Sequence, residues 1–446
     1  MNASSSSVSG PGPTPANPKS PVYSTLTHYG AVDWAKGHHD LCVVDRAGGI
    51  VFELSIDDTP QGWAGLRARL AAMIAADGAP AIVGFTIETS CGPAVERLLE
   101  ADLPVFPLNP MAAERYRDRK APSGHKNDRL DAFSFADALR TDGHLWRVLC
   151  PQDALTKELR MLCRDEITLI EQRTALVNQI QAALNEYYPT ALSAFDDWTV
   201  AAAWEFILAF PTPHQLASAG KRKWEKFLHV HKLFRQTTYA RRMELFAAAG
   251  RAGSPSRAVT SAKSLLAVSI ARQLQTLQTQ LDEYRARINE LFNQHPDHDL
   301  FGSLPGAGEK LAPRLLAELG ADRSVFADSE ALQCFAGAAP VTYQSGSKRR
   351  VLFRRACNPT LRATVHLWAD RSRMTSPWAE AYYRQKKEQG MGHAAALRCL
   401  AMRWLKILWK MWMERKPYDA DRHLRDQTSH GSWVIALLPQ AEPQPG

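Results

Sequence analysis

An α/β N-terminal domain, a long helical coiled-coil segment and a mainly α C-terminal domain are what the sequence predicts, on three observations. Between Thr27 and about Asn109, short β-rich runs alternate with helical patterns. After Pro151 the apolar residues recur at three and four, the period of long helices. From Pro340 to Lys416 there are 17 Lys and Arg against only Asp370, Glu380, Glu388 and Glu414. That net +13 exceeds the +8 of the whole chain, so the remainder is net acidic and the positive charge is localised, as in a nucleic-acid footprint.

The 446 residues suffice for two or three domains. No window reaches the roughly 18 apolar residues of a membrane span. The opening "MNASSSSVSGPGPTPANPKSP" lacks the apolar core of a secretory signal, and 1–24 reads as a disordered tail. Seven scattered cysteines without a CxxC pair argue against a disulfide framework or zinc site and suit a reducing cytoplasm.

In chain order, "HYGAVDWA", "DLCVVDRAG" and "GIVFELSI" are separated by turn-length breaks, as in an antiparallel meander. A helical pattern follows in "QGWAGLRARLAAMIAADG", then a buried strand in "AIVGFTIET", a helix in "GPAVERLLEADL" and a strand in "VFPLN". Three strands, then helix, strand, helix, strand is the order of an RNase H-like α/β domain, assigned to 25–150.

Four acids stand out in this domain. Asp33 falls inside the first strand where the spacing demands a core residue, and Glu88 ends the fourth. Asp128 and Asp131, three residues apart in "KNDRLDAF", open a later helix, where two bare carboxylates repel by a few tenths of a kcal/mol. The helix dipole offsets part of that. A divalent cation held by oxygen ligands would turn the repulsion into a requirement, and a strand acid is costly unless paired or metal-bound.

Residues 151–295 read as helical. "LTKELRMLCRDEITLIEQRTALVNQIQAALNEYY" is the first long run, and Ile270, Leu274, Leu277, Leu281, Tyr284, Ile288 and Leu291 form a heptad seam in the second. The seam joins either two protomers or two helices of one chain. Between them, Pro189 to Ser261 holds two basic helical stretches and "PTPHQ" and "GRAGSPSR" breaks.

Residues 296–420, expected as the C-terminal domain, include "LPGAGEKLAPRLLAEL" near their start, which resembles a helix-hairpin-helix. Gly306 and Gly308 would expose backbone N–H groups to a phosphate and Lys310 would add charge, the alternative being a plain helix–helix turn. The tryptophans of "LRCLAMRWLKILWKMWMERK" fit a core stripe, with Lys and Arg on the opposite face. Residues 421–446 are expected as a tail.

The order Asp, Glu, Asp-x-x-Asp, followed downstream by "LPGAG", "FAGAAPVTYQSGSKRR" and "NPTLR", resembles the DEDD insertion-sequence transposases of the IS110 type from about Thr27 to Tyr418. The resemblance implies a RuvC-like N-terminal domain whose Asp33, Glu88, Asp128 and Asp131 bind Mg2+ or Mn2+. It also implies a C-terminal transposase domain with Ser345, in "YQSGSK", as the nucleophile. Lys348, Arg349, Arg350, Arg354, Arg355 and Arg362 would hold phosphates on either side of the scissile bond. The implied partners are double-stranded donor and target DNA, a structured non-coding bridge RNA and further copies of the chain, as a dimer or tetramer. Cys357 stands where such proteins often carry Gly, and Asn127 where Thr is usual. Two competing expectations are a metal-dependent RuvC-like structure-selective nuclease of the Holliday-junction type, using water, and a non-catalytic nucleic-acid-binding protein.

Overall fold

The structure, a computed structural model, describes residues 21–75, 78–120, 128–149, 153–249, 256–346 and 348–438. Most of the expected N-terminal tail, Asn127, Ser347 and the last eight residues lie outside these. The chain divides into two compact units at Pro151.

The first unit opens with a short helix α1 (Pro21–Thr25) and is built on a five-stranded mixed sheet: β1 (His28–Trp34), β2 (His38–Val44), β3 (Ile50–Asp57), β4 (Val83–Ile87) and β5 (Val105–Pro107). The strand order is β3-β2-β1-β4-β5. β1, β2 and β3 form the expected antiparallel meander, while β4 lies parallel to β1 and β5 parallel to β4. This arrangement is compatible with an RNase H-like domain. The parallel links need crossovers, and α2 (Pro60–Ala71) and α3 (Pro93–Glu100) occupy those connections. Thr59 caps α2 by accepting from Gly62 N, with Pro60 at the first helical position.

The sheet buries both faces. Val32, Phe85 and Ile87 pack with Trp63, Leu66 and Leu98 of α2 and α3. Tyr29, Ala31 and Cys42 on the other face pack with Ala132, Phe135 and Leu139. The last three belong to α5 (Asp128–Asp142), which follows α4 (Pro110–Lys120). Lys120 Nζ lies 2.6 Å from Asp137 Oδ2, tying α4 to α5.

The second unit starts with α6 (Ala154–Tyr187), capped by Asp153. Five shorter helices follow: α7 (Pro189–Ala194), α8 (Ala201–Ala209), α9 (Pro213–Ala219), α10 (Lys221–Val230) and α11 (Gln236–Ala248). The long α12 (Arg257–Gln294) then returns along α6. The pairs Lys263–Glu186, Arg285–Glu166 and Arg287–Glu158 run in opposite directions along the two helices, which are therefore antiparallel. Ile270, Leu274, Leu277, Leu281, Ile288 and Leu291 are buried within this one chain. The seam thus resolves to a hairpin inside the chain rather than a coil between protomers, because α6 already supplies the apolar partner that each heptad position requires.

Beyond it come α13 (His298–Gly302), α14 (Gly308–Leu319), α15 (Ser329–Phe335), β6 (Val341–Ser345), β7 (Lys348–Leu352), α16 (Pro359–Ser372), α17 (Pro377–Glu388), α18 (His393–Glu414) and α19 (Ala420–Ser429). Leu159, Cys163, Ile288 and Phe292 of the long helices share a core with Leu315, Trp368, Trp404 and Trp412. Residues expected as two domains, 151–295 and 296–420, therefore form one compact unit. Nor is the segment from 421 only a tail: α19 is regular and Val434 is buried in the same core. Among the described residues no helix is long and apolar enough to cross a membrane.

Candidate functional site

In the first unit the acids meet where β1 and β4 end beside the start of α5. The side chain of Asp33 follows those of Tyr29 and Ala31 on the face of β1 that packs on α5, since alternate residues share a face. Val32 pairs with Ile87 in the parallel register, so Asp33 and Glu88 each come one residue further on, near the ends of neighbouring strands. Asp128 opens α5, and Asp131 lies one turn on, in the stripe that continues through Phe135 and Leu139 into the core. Ligand oxygens of Asp33, Asp128 and Asp131 all fall within 4.8 Å of one another. Glu88 is outside that set, one residue beyond β4, yet near enough for its charge to act on Asp33.

The cluster concentrates negative charge. Burial pushes the Asp33 carboxyl up from 3.8 to about 6, with the charges of Asp131, Asp128 and Glu88 adding to it and Arg117 opposing. Asp131 is 0% exposed. Arg117 Nε of α4 faces its Oδ1 at 2.7 Å as an ion pair, but no described residue gives either carboxylate oxygen a well-directed hydrogen bond. Leaving such a group unsatisfied in the interior costs several kcal/mol. Three converging carboxylates are hard oxygen donors of the kind that a divalent ion such as magnesium or manganese takes. Sequence reasoning passed over Arg117, which sits in the charge run "ERYRDRK" with nothing local to mark which cation turns inward.

Ser345 belongs to the second unit. It ends β6 and pairs with Lys348 at the mouth of an antiparallel hairpin. Gly346 takes φ +57° in the turn, a conformation that favours glycine. Every residue of β6 and β7 is exposed. Residues directly opposite share a face, so Lys348 and Arg350, across from Ser345 and Tyr343, flank the hydroxyl, while Arg349, across from Gln344, points to the other side.

The remaining predicted cations divide. Lys310 and Arg355 are exposed. Arg354 Nε donates to Ala339 O at 3.1 Å, at the foot of the hairpin. The guanidinium of Arg362 donates to the carbonyls of Arg354 (2.6 Å) and Arg355 (3.3 Å), touches Cys357 Sγ and lies 4.5 Å from the Phe353 ring centre. It is engaged in holding the loop between β7 and α16 rather than open to a phosphate. Gly306, φ +74°, lets the chain pass against α16, where a Cβ would stand 2.6 Å from Ser372 N. Packing therefore accounts for that glycine, and the expected helix-hairpin-helix has only five residues in its first helix.

An ion pair with a buried carboxylate anchors the start of α16, after the hairpin. Arg164 of α6 grips Glu318 of α14 at 2.8 and 2.9 Å, and Asn358 Nδ2 donates to the same carboxylate at 2.6 Å. Asn358 Oδ1 accepts from Leu361 N, capping α16 ahead of Pro359. An Asn before Pro at a helix start is a readable cap signal, but its tie to Glu318 spans 40 residues and leaves no local trace.

Residues 31–189 match a transposase family named for DEDD and IS110, and residues 298–384 match the transposase family of IS116, IS110 and IS902. A Streptomyces coelicolor protein named as the mini-circle transposase for IS117 is 34% identical over 416 residues, 89% of this chain and 97% of that protein. The 42 kDa protein of insertion element IS900 of Mycobacterium paratuberculosis is 30% identical, covering 66% of this chain and 73% of its own length. The 43.6 kDa protein of IS110 from Streptomyces coelicolor is 27% identical over 67% of this chain.

Proposed function

Because the chain belongs to the IS110-type DEDD transposases, we propose that it cleaves and rejoins DNA strands with an RNase H-like carboxylate site and a serine nucleophile. One observation carries the reading: the convergence of Asp33, Asp128 and Asp131 within 4.8 Å of one another, with Asp131 buried and, among the described residues, met by the single cation Arg117. These three, with Glu88 beside them, would hold Mg2+ or Mn2+. When bound, the ion neutralises phosphodiester charge and assists the departure or attack of an oxygen.

With no ion present, burial and the charges of Asp131, Asp128 and Glu88 make the Asp33 carboxyl hold its proton more readily than an ordinary carboxyl, at about 6. Ser345 Oγ attacks phosphorus, a new O–P bond forms, the strand's P–O bond breaks, and the hydroxyl proton ends on the departing strand oxygen. The reverse reaction with a different strand end rejoins DNA without an external energy source. Lys348 and Arg350 supply positive charge on the face of the hairpin that carries the hydroxyl. Guidance by a structured non-coding RNA, and assembly as a dimer or tetramer on donor and target DNA, complete the reading.

The test is Ser345→Ala. The covalent protein–DNA adduct and the recombined product should vanish together while DNA binding stays near the parent's. Recombination at the parental rate would sink the serine mechanism. One observation favours a second reading, a RuvC-like nuclease using water: Ser345 ends a strand whose every residue is exposed to solvent. In that case Ser345→Ala would leave metal-dependent nicking intact and no adduct would form in the parent.

A further inference from the structure

The second unit holds a cavity of about 490 Å³ between α17, α18, α19 and the turn after α19, well away in sequence from Ser345. From its lining we infer a binding site for one unstacked nucleotide of a single strand. For its choice of a strand-borne ligand this rests on the reading of the chain as acting on DNA.

The aromatic wall comes first. Trp433 stacks on Tyr382 with ring centres 5.4 Å apart and planes at 27°. Tyr382 is 7% exposed and belongs to the core, but Trp433 is 42% exposed, so an indole fixed from behind offers surface to the solvent. An aromatic ring buttressed on one side is what a base stacks on, and every base has a face for it. Other lining rings are equally set: Trp378 Nε1 donates to Tyr418 Oη at 3.0 Å, and Tyr418 N donates to Ser303 Oγ at 2.8 Å.

The charge lies in a row. Arg403, Lys406 and Lys410 all line the cavity from α18, at spacings of three and four that place them on one helix face. From Arg403 to Lys410 the row runs about 10 Å along the axis. That is too long for one phosphate and suits the successive phosphates of a strand. Glu414 lies 4.0 Å from Lys410 and 3.7 Å from Arg422, so those two cations are partly compensated. Lys406 and Lys416, both exposed, have no acid partner among the described residues. Asp426 and Gln427 of α19 put an acceptor and an amide on the wall, able to meet the polar edge of a base.

The cavity keeps an exposed tryptophan, and its lining carries five Lys and Arg side chains against the three acids Glu414, Asp419 and Asp426. A free nucleotide has the same chemistry, and the experiment separates the two sources. Full-length protein in EDTA, where no cleavage occurs, is titrated with a thymidine hexamer and separately with thymidine monophosphate. A hexamer bearing one 5-iodouracil is photo-cross-linked and the adduct mapped by mass spectrometry.

The cross-link should fall on Trp433 or Tyr382. Trp433→Ala should weaken hexamer binding by at least about fivefold without changing its salt dependence. Trp433→Phe should recover most of the loss. Lys406→Ala should lower the logarithmic salt slope by about 0.7, the value for one phosphate of a single strand. Cross-links confined elsewhere, or Trp433→Ala affinity within twofold of the parent, would overturn the site. Monophosphate binding as tight as the hexamer would overturn its assignment to a strand. Neither outcome bears on Ser345 or the carboxylates, whose failure would show only in metal-dependent cleavage.

Discussion

Arg117 Nε stands 2.7 Å from Oδ1 of Asp131, a carboxylate that is 0% exposed. A guanidinium here occupies part of the charge-compensating role that a bound cation would complete, so the site carries its own provisional counter-ion. That relationship makes the carboxylate cluster testable without an activity assay.

Arg117→Met removes the counter-ion and keeps most of the stem. The variant should lose about 3–5 kcal/mol in EDTA, the usual result of breaking a buried pair from one side, and should regain more than the parent when Mg2+ or Mn2+ is added. Thermal melts with and without metal measure both. An equal gain in parent and variant would mean that the cation does not sit at Asp131.

The raised carboxyl of Asp33 fixes the sign of a pH effect. Its folded value, about 6, lies above the ordinary 3.8. Its contribution to stability is therefore full below about 4 and is lost as pH rises through 6. The metal-free protein should become less stable over that window, and Asp131→Asn, which removes one of the charges raising it, should shift the titration of Asp33 downward. Carbon-detected NMR of the Asp33 carboxyl reads the shift directly. An unchanged midpoint in Asp131→Asn would separate the two residues.

Leu281 is 0% exposed in the seam between α6 and α12. Leu281→Asp should lower the stability of the chain by several kcal/mol, the cost of burying an unpaired charge, and the loss should not depend on protein concentration. Sedimentation should give the same assembly size wherever the variant remains folded. Dissociation of an oligomer into stable protomers would show that the seam joins chains.

Lys348 and Arg350 share the face of Ser345, whereas Arg349 does not. Replacing the first two by Ala should lower the logarithmic salt slope of duplex binding by about 0.9 for each lost phosphate contact, and Arg349→Ala should reduce cleavage less than either. Equal effects from all three would mean that the hairpin's two faces are not distinguished by DNA.

Local pattern determined much about this protein. A β-rich run marked the strand that carries Asp33, an apolar run the one that leads into Glu88, and helical spacing both long helices. The i, i+3 placement of Asp128 and Asp131 on a helix start was legible because neighbours on a helix are separated by fixed steps of sequence. The tryptophans of α18 were legible as core for the same reason, and Trp404 and Trp412 are fully buried.

Only the tertiary structure decided what each of those faces meets. A heptad seam buries the same side chains whether its partner helix is its own chain's or another's, so nothing in the repeat distinguishes α6 from a second protomer. Gly306 reads equally as a phosphate turn or as the close approach of α16, since both need φ > 0 and no Cβ. Arg117 and Arg362 are cations among many in sequence. One faces a buried carboxylate and the other backbone carbonyls, because folding brings Asp131 to α4 and the loop after β7 over the start of α16. Periodicity specifies which side of an element is buried, while the identity of the group on the far side depends on chain reversals that local spacing does not encode.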